Sequence, residues 1–145
     1  MIKRGIGRAA LAFAMIVAAV GISSPAQAAT SFYAEYFHSG GATLVVKITG
    51  DMGWYNRSVG LNDVRLWLRG GYCGGAEVSA YAGTNKLGQK TYANYCSESG
   101  QWLSLPNATL NADVPGGANV LRVRAFKDDS TGRHYGDTYY FDKCC

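Results

Sequence analysis

The strongest constraint on the fold is an alternation of apolar and polar residues with a period of two. In residues 64–69 Val and Leu alternate with Arg and Trp, and in residues 121–126 aliphatic residues alternate with Arg and Phe. Such alternation places the apolar side chains on one face of a β-strand. After residue 28 no segment has the three-and-four spacing of an amphipathic helix. The sequence therefore predicts an all-β protein.

Six further segments rich in β-branched and aromatic residues are predicted strands. They cover residues 32–37, 43–49, 77–82, 89–95, 101–105 and 135–141. Clusters of Gly, Asn, Asp and Pro predict tight turns at residues 40–41, 50–53, 70–71, 74–75, 85–88 and 115–117. About eight short strands at this spacing predict a small antiparallel β-sandwich of Ig-like or Greek-key type, with a small barrel as the alternative.

The first 28 residues are typical of a cleavable secretion signal. Three basic residues precede an apolar run at residues 9–22, and Ala26-Gln27-Ala28 matches a small-x-small cleavage site. A membrane anchor is the alternative, but the run is shorter than the roughly 20 residues that span a bilayer. We therefore expect a secreted, extracellular protein without a membrane span, with residues 29–145 forming a single all-β domain.

Most of the formal charge lies in this predicted signal. Three of the 14 Lys and Arg residues precede residue 29, whereas all 10 Asp and Glu residues follow it. The exported part is therefore nearly neutral, at about +1. A neutral domain has no electrostatic preference for nucleic acid or for an anionic membrane surface, so neither is an expected partner.

Four cysteines, Cys73, Cys96, Cys144 and Cys145, lie in the predicted domain. An even number in a small exported chain indicates disulfides, and the paired spacing of a zinc site is absent. A hairpin turning at residues 83–88 would bring Cys73 within one register step of Cys96, so we predict a bridge between them. Cys144 and Cys145 could then form a vicinal disulfide or join another chain. Alternatively, each pairs with one of the upstream cysteines.

Side chains suited to catalysis are scarce. The chain has only two histidines, His38 and His134, and lacks the G-x-S-x-G and H-E-x-x-H motifs. We therefore predict no catalytic residues and no cofactor. Asp128, Asp129 and Asp137 could together hold calcium, but the EF-hand spacing is missing and Asp also suits a plain turn.

Large amphipathic side chains fall on the polar side of the two alternating segments. In the first segment Trp67 faces away from the aliphatic residues, between Arg65 and Arg69. Trp, Tyr and Arg dominate binding hot spots because they bury a large area and keep a polar group. The alternative is that another part of the chain covers Trp67. The predicted binding residues are Arg65, Trp67, Arg69, Arg122, Arg124 and Phe126.

These features favour a non-catalytic module that binds another secreted or cell-surface protein, as an inhibitor, an adaptor or a subunit of an exported assembly. The first alternative is a carbohydrate or cell-wall binding module, in which aromatic rings stack on sugars. The second is a small secreted hydrolase that uses scattered carboxylates such as Glu35, Glu77 and Glu98, or His134.

Overall fold

The computed structural model describes residues 30–38 and 41–143, and it confirms an all-β sandwich. Ten strands are present in this part of the chain rather than the predicted eight. They are β1 (Thr30–Phe37), β2 (Leu44–Trp54), β3 (Ser58–Leu68), β4 (Tyr72–Ala82), β5 (Asn85–Ser97), β6 (Gln101–Ser104), β7 (Ala108–Asn111), β8 (Val120–Asp129), β9 (Gly132–Tyr135) and β10 (Tyr139–Asp142). The predicted secretion signal, Cys144 and Cys145 lie outside the described residues.

The strands form two antiparallel sheets of five strands each. Sheet A has the order β1-β2-β3-β6, and β7 pairs with the other half of β3. Sheet B has the order β10-β8-β4-β5, and β9 pairs with the far end of β8. The described ranges contain no helix that is long and apolar enough to cross a membrane.

The core lies between the two sheets and contains the inward side of every long strand. Fully buried side chains include Phe32, Ile48, Leu61, Leu66, Leu68, Val78, Leu121 and Val123. The sheets also approach each other at both edges. A Cβ added at Gly88 of β5 would lie 2.5 Å from the carbonyl oxygen of Asn111 in β7, and one at Gly136 would lie 2.6 Å from that of Glu35 in β1. Each sheet therefore presents a single outer face.

Several predicted strand limits are wrong, and packing explains the largest differences. The predicted turns at residues 50–53 and 74–75 lie inside β2 and β4. Their glycines make room for neighbouring groups, since a Cβ at Gly50 would lie 2.7 Å from the ring of Phe32. The predicted strand 135–141 is interrupted at residues 136–138, and β7 was not predicted.

The predicted Cys73–Cys96 disulfide is confirmed. The two cysteines are directly opposite in β4 and β5, with their Cα atoms 4.0 Å apart. The turn occupies only residues 83–84, but β5 contains two bulges that shift the register by one residue each. One bulge includes Asn94, whose φ of 67° lies in the left-handed region that Asn tolerates better than most residues. The bridge excludes the alternative in which each upstream cysteine pairs with Cys144 or Cys145.

Candidate functional site

The outer face of sheet A carries two tryptophans in direct opposition. Trp67 of β3 is paired with Trp102 of β6, and Lys47 of β2 lies on the other side of Trp67. Trp102 is 51% exposed, and Trp67 is half-buried. The alternation in β3 thus predicts the direction of Trp67, which lies on the face of sheet A opposite to the buried Leu66 and Leu68. Trp102 was not among the predicted site residues because its pairing with β3 skips two intervening strands.

Charged and aromatic side chains surround this tryptophan pair. Arg65 lies two residues before Trp67 in β3 and is paired with Thr49 of β2. Thr49 is in turn paired with the exposed Tyr33 of β1. Lys47 Nζ donates a hydrogen bond to Glu35 Oε1 at 2.7 Å. Arg69 follows β3 and is exposed. We call the surface formed by Tyr33, Lys47, Arg65, Trp67 and Trp102 the tryptophan face.

A shallow groove of about 650 Å³ lies beside the tryptophan pair on the same sheet. Tyr33 and Arg65 line it, together with the carboxylates Asp51 and Asp63. Asp63 has a φ of 47° and is the extra residue of a bulge in β3. The bulge ends the regular alternation of β3 and leaves two successive side chains, Asn62 and Asp63, exposed.

The outer face of sheet B has a different arrangement, in which arginines stack on aromatic rings. The guanidinium carbon of Arg122 lies 3.9 Å from the ring centroid of Tyr81 and 5.2 Å from that of Tyr140. Arg124 lies 3.8 Å from the ring centroid of Tyr135. Stacking of this kind contributes about 0.5–1 kcal/mol at exposed sites and more where water is excluded.

The third stack of sheet B explains the burial of Phe126. Arg133 lies 3.8 Å from the centroid of the Phe126 ring, and Tyr135 packs against that ring edge-on with centroids 5.6 Å apart. Phe126 points outward from β8, yet it is 0% exposed because these two side chains cover it. Arg133 also donates from Nε and Nη2 to the two carboxylate oxygens of Asp128, at 2.8 and 3.1 Å. We call the stacked residues Tyr81, Arg122, Arg124, Phe126, Arg133, Tyr135 and Tyr140 the arginine ladder.

The six predicted binding residues therefore lie on two opposite surfaces. Arg65, Trp67 and Arg69 belong to sheet A, whereas Arg122, Arg124 and Phe126 belong to sheet B. A single small site cannot contain all six, because the core separates the sheets. The ladder residues Tyr81, Tyr135, Tyr140 and Arg133 were missed, since only cross-strand register shows that the three tyrosines lie against predicted arginines and that Arg133 lies against Phe126.

A small cavity of about 160 Å³ opens between strands β4, β8 and β10 on the ladder side. Arg122, Arg124 and Lys86 contribute positive charge, and Glu77 is the acidic residue of its lining. Arg124 donates to Glu77 Oε1 from both Nε and Nη2, at 3.2 and 2.9 Å. The other lining side chains are Ser79, Tyr81, Thr138 and Tyr140.

Two of the three acidic residues considered for calcium, Asp128 and Asp129, are engaged with basic groups. Asp128 binds Arg133, and Asp129 accepts from Lys127 Nζ at 2.6 Å. Lys127 and then Thr131 hold the pKa of Asp129 well below its usual range by hydrogen bonding to the ionised form. Within the ranges that the structure describes, no three His, Cys, Asp or Glu side chains converge as a metal site would require.

Two of the three carboxylates considered for hydrolysis, Glu35 and Glu77, do not meet. Glu35 lies on the outer face of sheet A and pairs with Lys47, whereas Glu77 lies on the outer face of sheet B and pairs with Arg124. His134 lies in the β8–β9 hairpin, where its Nε2 is 2.8 Å from the Thr131 hydroxyl and 3.2 Å from Asp129 Oδ1. A paired-carboxylate mechanism needs two groups within about 5–10 Å across one substrate, and these two glutamates face opposite directions.

Comparison with known proteins adds no further identification. No protein-family model, curated protein or solved structure matches the chain.

Proposed function

We propose that this chain is an exported, non-catalytic module that binds another extracellular protein through the tryptophan face. The observation that carries the proposal is the directly opposed pair Trp67 and Trp102, with Trp102 51% exposed on a rigid sheet. Large aromatic side chains with half their surface in water are the groups that gain most from burial by a partner.

The surroundings of the pair support a protein partner. Hot spots in protein interfaces combine a central aromatic or arginine anchor with a polar rim that excludes water. Here Trp67 and Trp102 would be the anchor, and Lys47, Arg65 and Arg69 would belong to the rim. Because β3 lies within sheet A, hydrogen-bonded to strands on both sides, Trp67 loses little conformational entropy on binding.

The disulfide is consistent with the extracellular location. Cys73–Cys96 joins two neighbouring strands of a small domain, as is common in proteins that fold in an oxidising compartment. Inhibitor, adaptor and subunit of an exported assembly remain the three forms of this proposal, because each needs only a stable binding surface.

A carbohydrate ligand is the second candidate, and the groove beside the tryptophan pair favours it. Tyr33 offers an aromatic ring, and Asp51 and Asp63 offer the carboxylate acceptors that sugar hydroxyls require. The basic groups Lys47 and Arg65 also line this groove, and a neutral glycan would gain little from them. A protein partner therefore fits the mixed charge of the surface better.

A crosslinking pull-down from the culture fluid of the native host tests the proposal. We expect the exported protein to enrich one extracellular protein, and the variant Trp102→Ala to lose it. Tyr55→Ala is the matched control, since Tyr55 is 57% exposed in the connection between β2 and β3, outside the tryptophan face. Loss of the partner in Tyr55→Ala but not in Trp102→Ala would contradict the proposed surface, and enrichment of polysaccharide without protein would favour the carbohydrate candidate.

A further inference from the structure

We propose that the cavity between β4, β8 and β10 is a binding site for a single carboxylate group, which Arg122 holds. The cavity lies on sheet B, away from the tryptophan face, so this inference does not rest on the proposed function. A free small organic acid and the acidic side chain of a protein both offer this chemistry.

The charges around the cavity leave Arg122 without a counter-ion. Glu77 is the only carboxylate in the lining, and Arg124 already occupies its Oε1 with two hydrogen bonds. Among residues 30–38 and 41–143 no acidic side chain forms an ion pair with Arg122 or with Lys86. The site therefore has positive charge that its own acid does not neutralise.

The stacking of Arg122 determines how a ligand can approach it. Tyr81 and Tyr140 lie near the guanidinium, at 3.9 and 5.2 Å from its carbon, and their rings contact it through cation–π interactions. The rings occupy the faces of the guanidinium, whereas its N–H donors lie in its plane. The donors therefore remain directed toward groups at the edge of the guanidinium. Arg122 Nε is buried and finds no hydrogen-bond acceptor in the described part of the chain. A planar carboxylate matches the in-plane fork of a guanidinium, and with a small shift of the Arg122 side chain toward the cavity it would supply the acceptor that Nε lacks.

The size and polarity of the cavity select one small monoanion. A volume of about 160 Å³ is close to that of a cavity of about 150 Å³ that holds one benzene molecule. The space therefore accommodates a carboxylate with a few carbon atoms but not a sugar chain or a nucleotide. Glu77 in the same lining disfavours a dianion such as phosphate, and the hydroxyls of Ser79 and Thr138 can donate to a second carboxylate oxygen.

An NMR titration of the protein tests this site directly. The probes are sodium propionate, as a free acid, and N-acetylglutamate amide, as an acidic side chain, with sodium phosphate and sodium chloride as controls at constant ionic strength. We expect a saturable shift of the Arg122 Nε–H resonance with at least one of the two carboxylates. At least tenfold weaker binding is expected for phosphate. Binding of propionate alone would identify a free acid as the ligand, and equal or tighter binding of the glutamate derivative would identify a protein side chain.

Variants separate binding at this site from non-specific ion effects. Arg122→Lys keeps the charge but removes the planar fork, and we expect it to weaken carboxylate binding at least tenfold. Arg65→Lys, the same change on sheet A, should leave the affinity unchanged. If Arg122→Lys does not fold, Thr138→Val removes only an exposed hydroxyl and should weaken binding about threefold. The absence of a saturable Arg122 shift in the unmodified protein, or equal responses to carboxylate and chloride, would overturn the proposal.

Discussion

The two outer faces of the sandwich use similar residues in opposite ways. On sheet B, Arg122, Arg124 and Arg133 each lie 3.8–5.2 Å from an aromatic ring of the same chain. On sheet A, Trp102 is directly opposite Trp67 and remains 51% exposed, with no arginine stacked on either ring in the described residues. The ladder stacks its aromatic rings on its own arginines and, among the described residues, leaves only the charge of Arg122 without a counter-ion, whereas the tryptophan face leaves its aromatic rings available.

This difference explains why residue type alone does not identify a binding surface. Arg, Tyr and Phe on an outward strand face can stabilise the fold by stacking on each other, as Phe126 does beneath Arg133 and Tyr135. The same residue types contribute to binding only where the fold leaves them without a partner. The predictions below compare the two faces, beginning with the largest expected effect.

A pair of glycine variants gives the largest expected contrast. Gly75 lies beneath the ladder, where an added Cβ would be 1.9 Å from the Tyr92 carbonyl oxygen and 2.8 Å from the Phe126 ring. Gly60 on sheet A would place its Cβ 3.1 Å from the exposed, movable ring of Tyr55. We expect Gly75→Ala to lower the free energy of unfolding by about 3 kcal/mol and Gly60→Ala by less than about 1 kcal/mol, measured by chemical denaturation. Equal effects would show that the ladder side is no more tightly packed.

The Cys73–Cys96 disulfide crosslinks β4 to β5, so within the described residues it stabilises sheet B directly and not sheet A. Replacing both partners, as in Cys73→Ala with Cys96→Ala, frees a loop with a sequence separation of 23 residues. We expect the free energy of unfolding to fall by about 3 kcal/mol, since the unfolded chain regains loop entropy. The folded fraction of the double variant should still bind its partner through the tryptophan face. Loss of binding at temperatures where the double variant is folded would show that the disulfide also stabilises sheet A.

The dependence of stability on alkaline pH tests the burial of Tyr92, which lies on the inward side of sheet B. Burial, with a smaller contribution from Tyr95, raises the pKa of Tyr92 to about 12, and its hydroxyl donates to the Pro106 carbonyl oxygen at 3.1 Å. The unfolded tyrosine releases its proton near pH 10, so this group opposes folding progressively as the pH rises from 10 to 12. Between these values the free energy of unfolding should fall by about 2 kcal/mol more in the unmodified protein than in Tyr92→Phe. Parallel pH profiles would contradict the burial effect.

Arginine-to-lysine changes give the smallest expected difference between the faces. Arg133→Lys removes the stack on Phe126 and the two hydrogen bonds to Asp128, and we expect a loss of about 1 kcal/mol in the free energy of unfolding. Arg65→Lys on sheet A should change it by less than about 0.5 kcal/mol, because Arg65 is exposed and makes no ion pair or aromatic stack within the described residues. A larger loss of unfolding free energy in Arg65→Lys than in Arg133→Lys would contradict the assignment of the stabilising arginine stacks to sheet B.

Much of the fold could be predicted because alternation depends on neighbouring residues in the same strand. The inward direction of Leu66 and Leu68, the outward direction of Trp67 and the Cys73–Cys96 bridge all follow from local spacing. Glycines inside strands misled the prediction, since Gly50 provides space for the Phe32 ring rather than forming a turn. Glycine is ambiguous in this way because it suits both a tight turn and a close contact.

The candidate sites depend on long-range register, which the sequence does not reveal. The pairing of Trp102 with Trp67 joins β3 to β6 across two intervening strands, and Tyr140 reaches Arg122 only because β10 pairs with β8. The assignment of β3 and β8 to different sheets separates the predicted binding residues into two groups. Each of these relations comes from which strands become neighbours, and many strand orders are compatible with one alternation pattern.

Radical footprinting in the host culture fluid tests the tryptophan face most directly, because it needs no identified partner. Oxidative labelling of Trp102 and of Tyr55, which is 57% exposed and lies outside both proposed sites, would be compared between purified protein and protein in the native fluid, with each residue quantified by mass spectrometry. The account predicts that the fluid protects Trp102 and leaves Tyr55 labelled as in the purified protein. Protection of Tyr55 with unchanged labelling of Trp102 would contradict it.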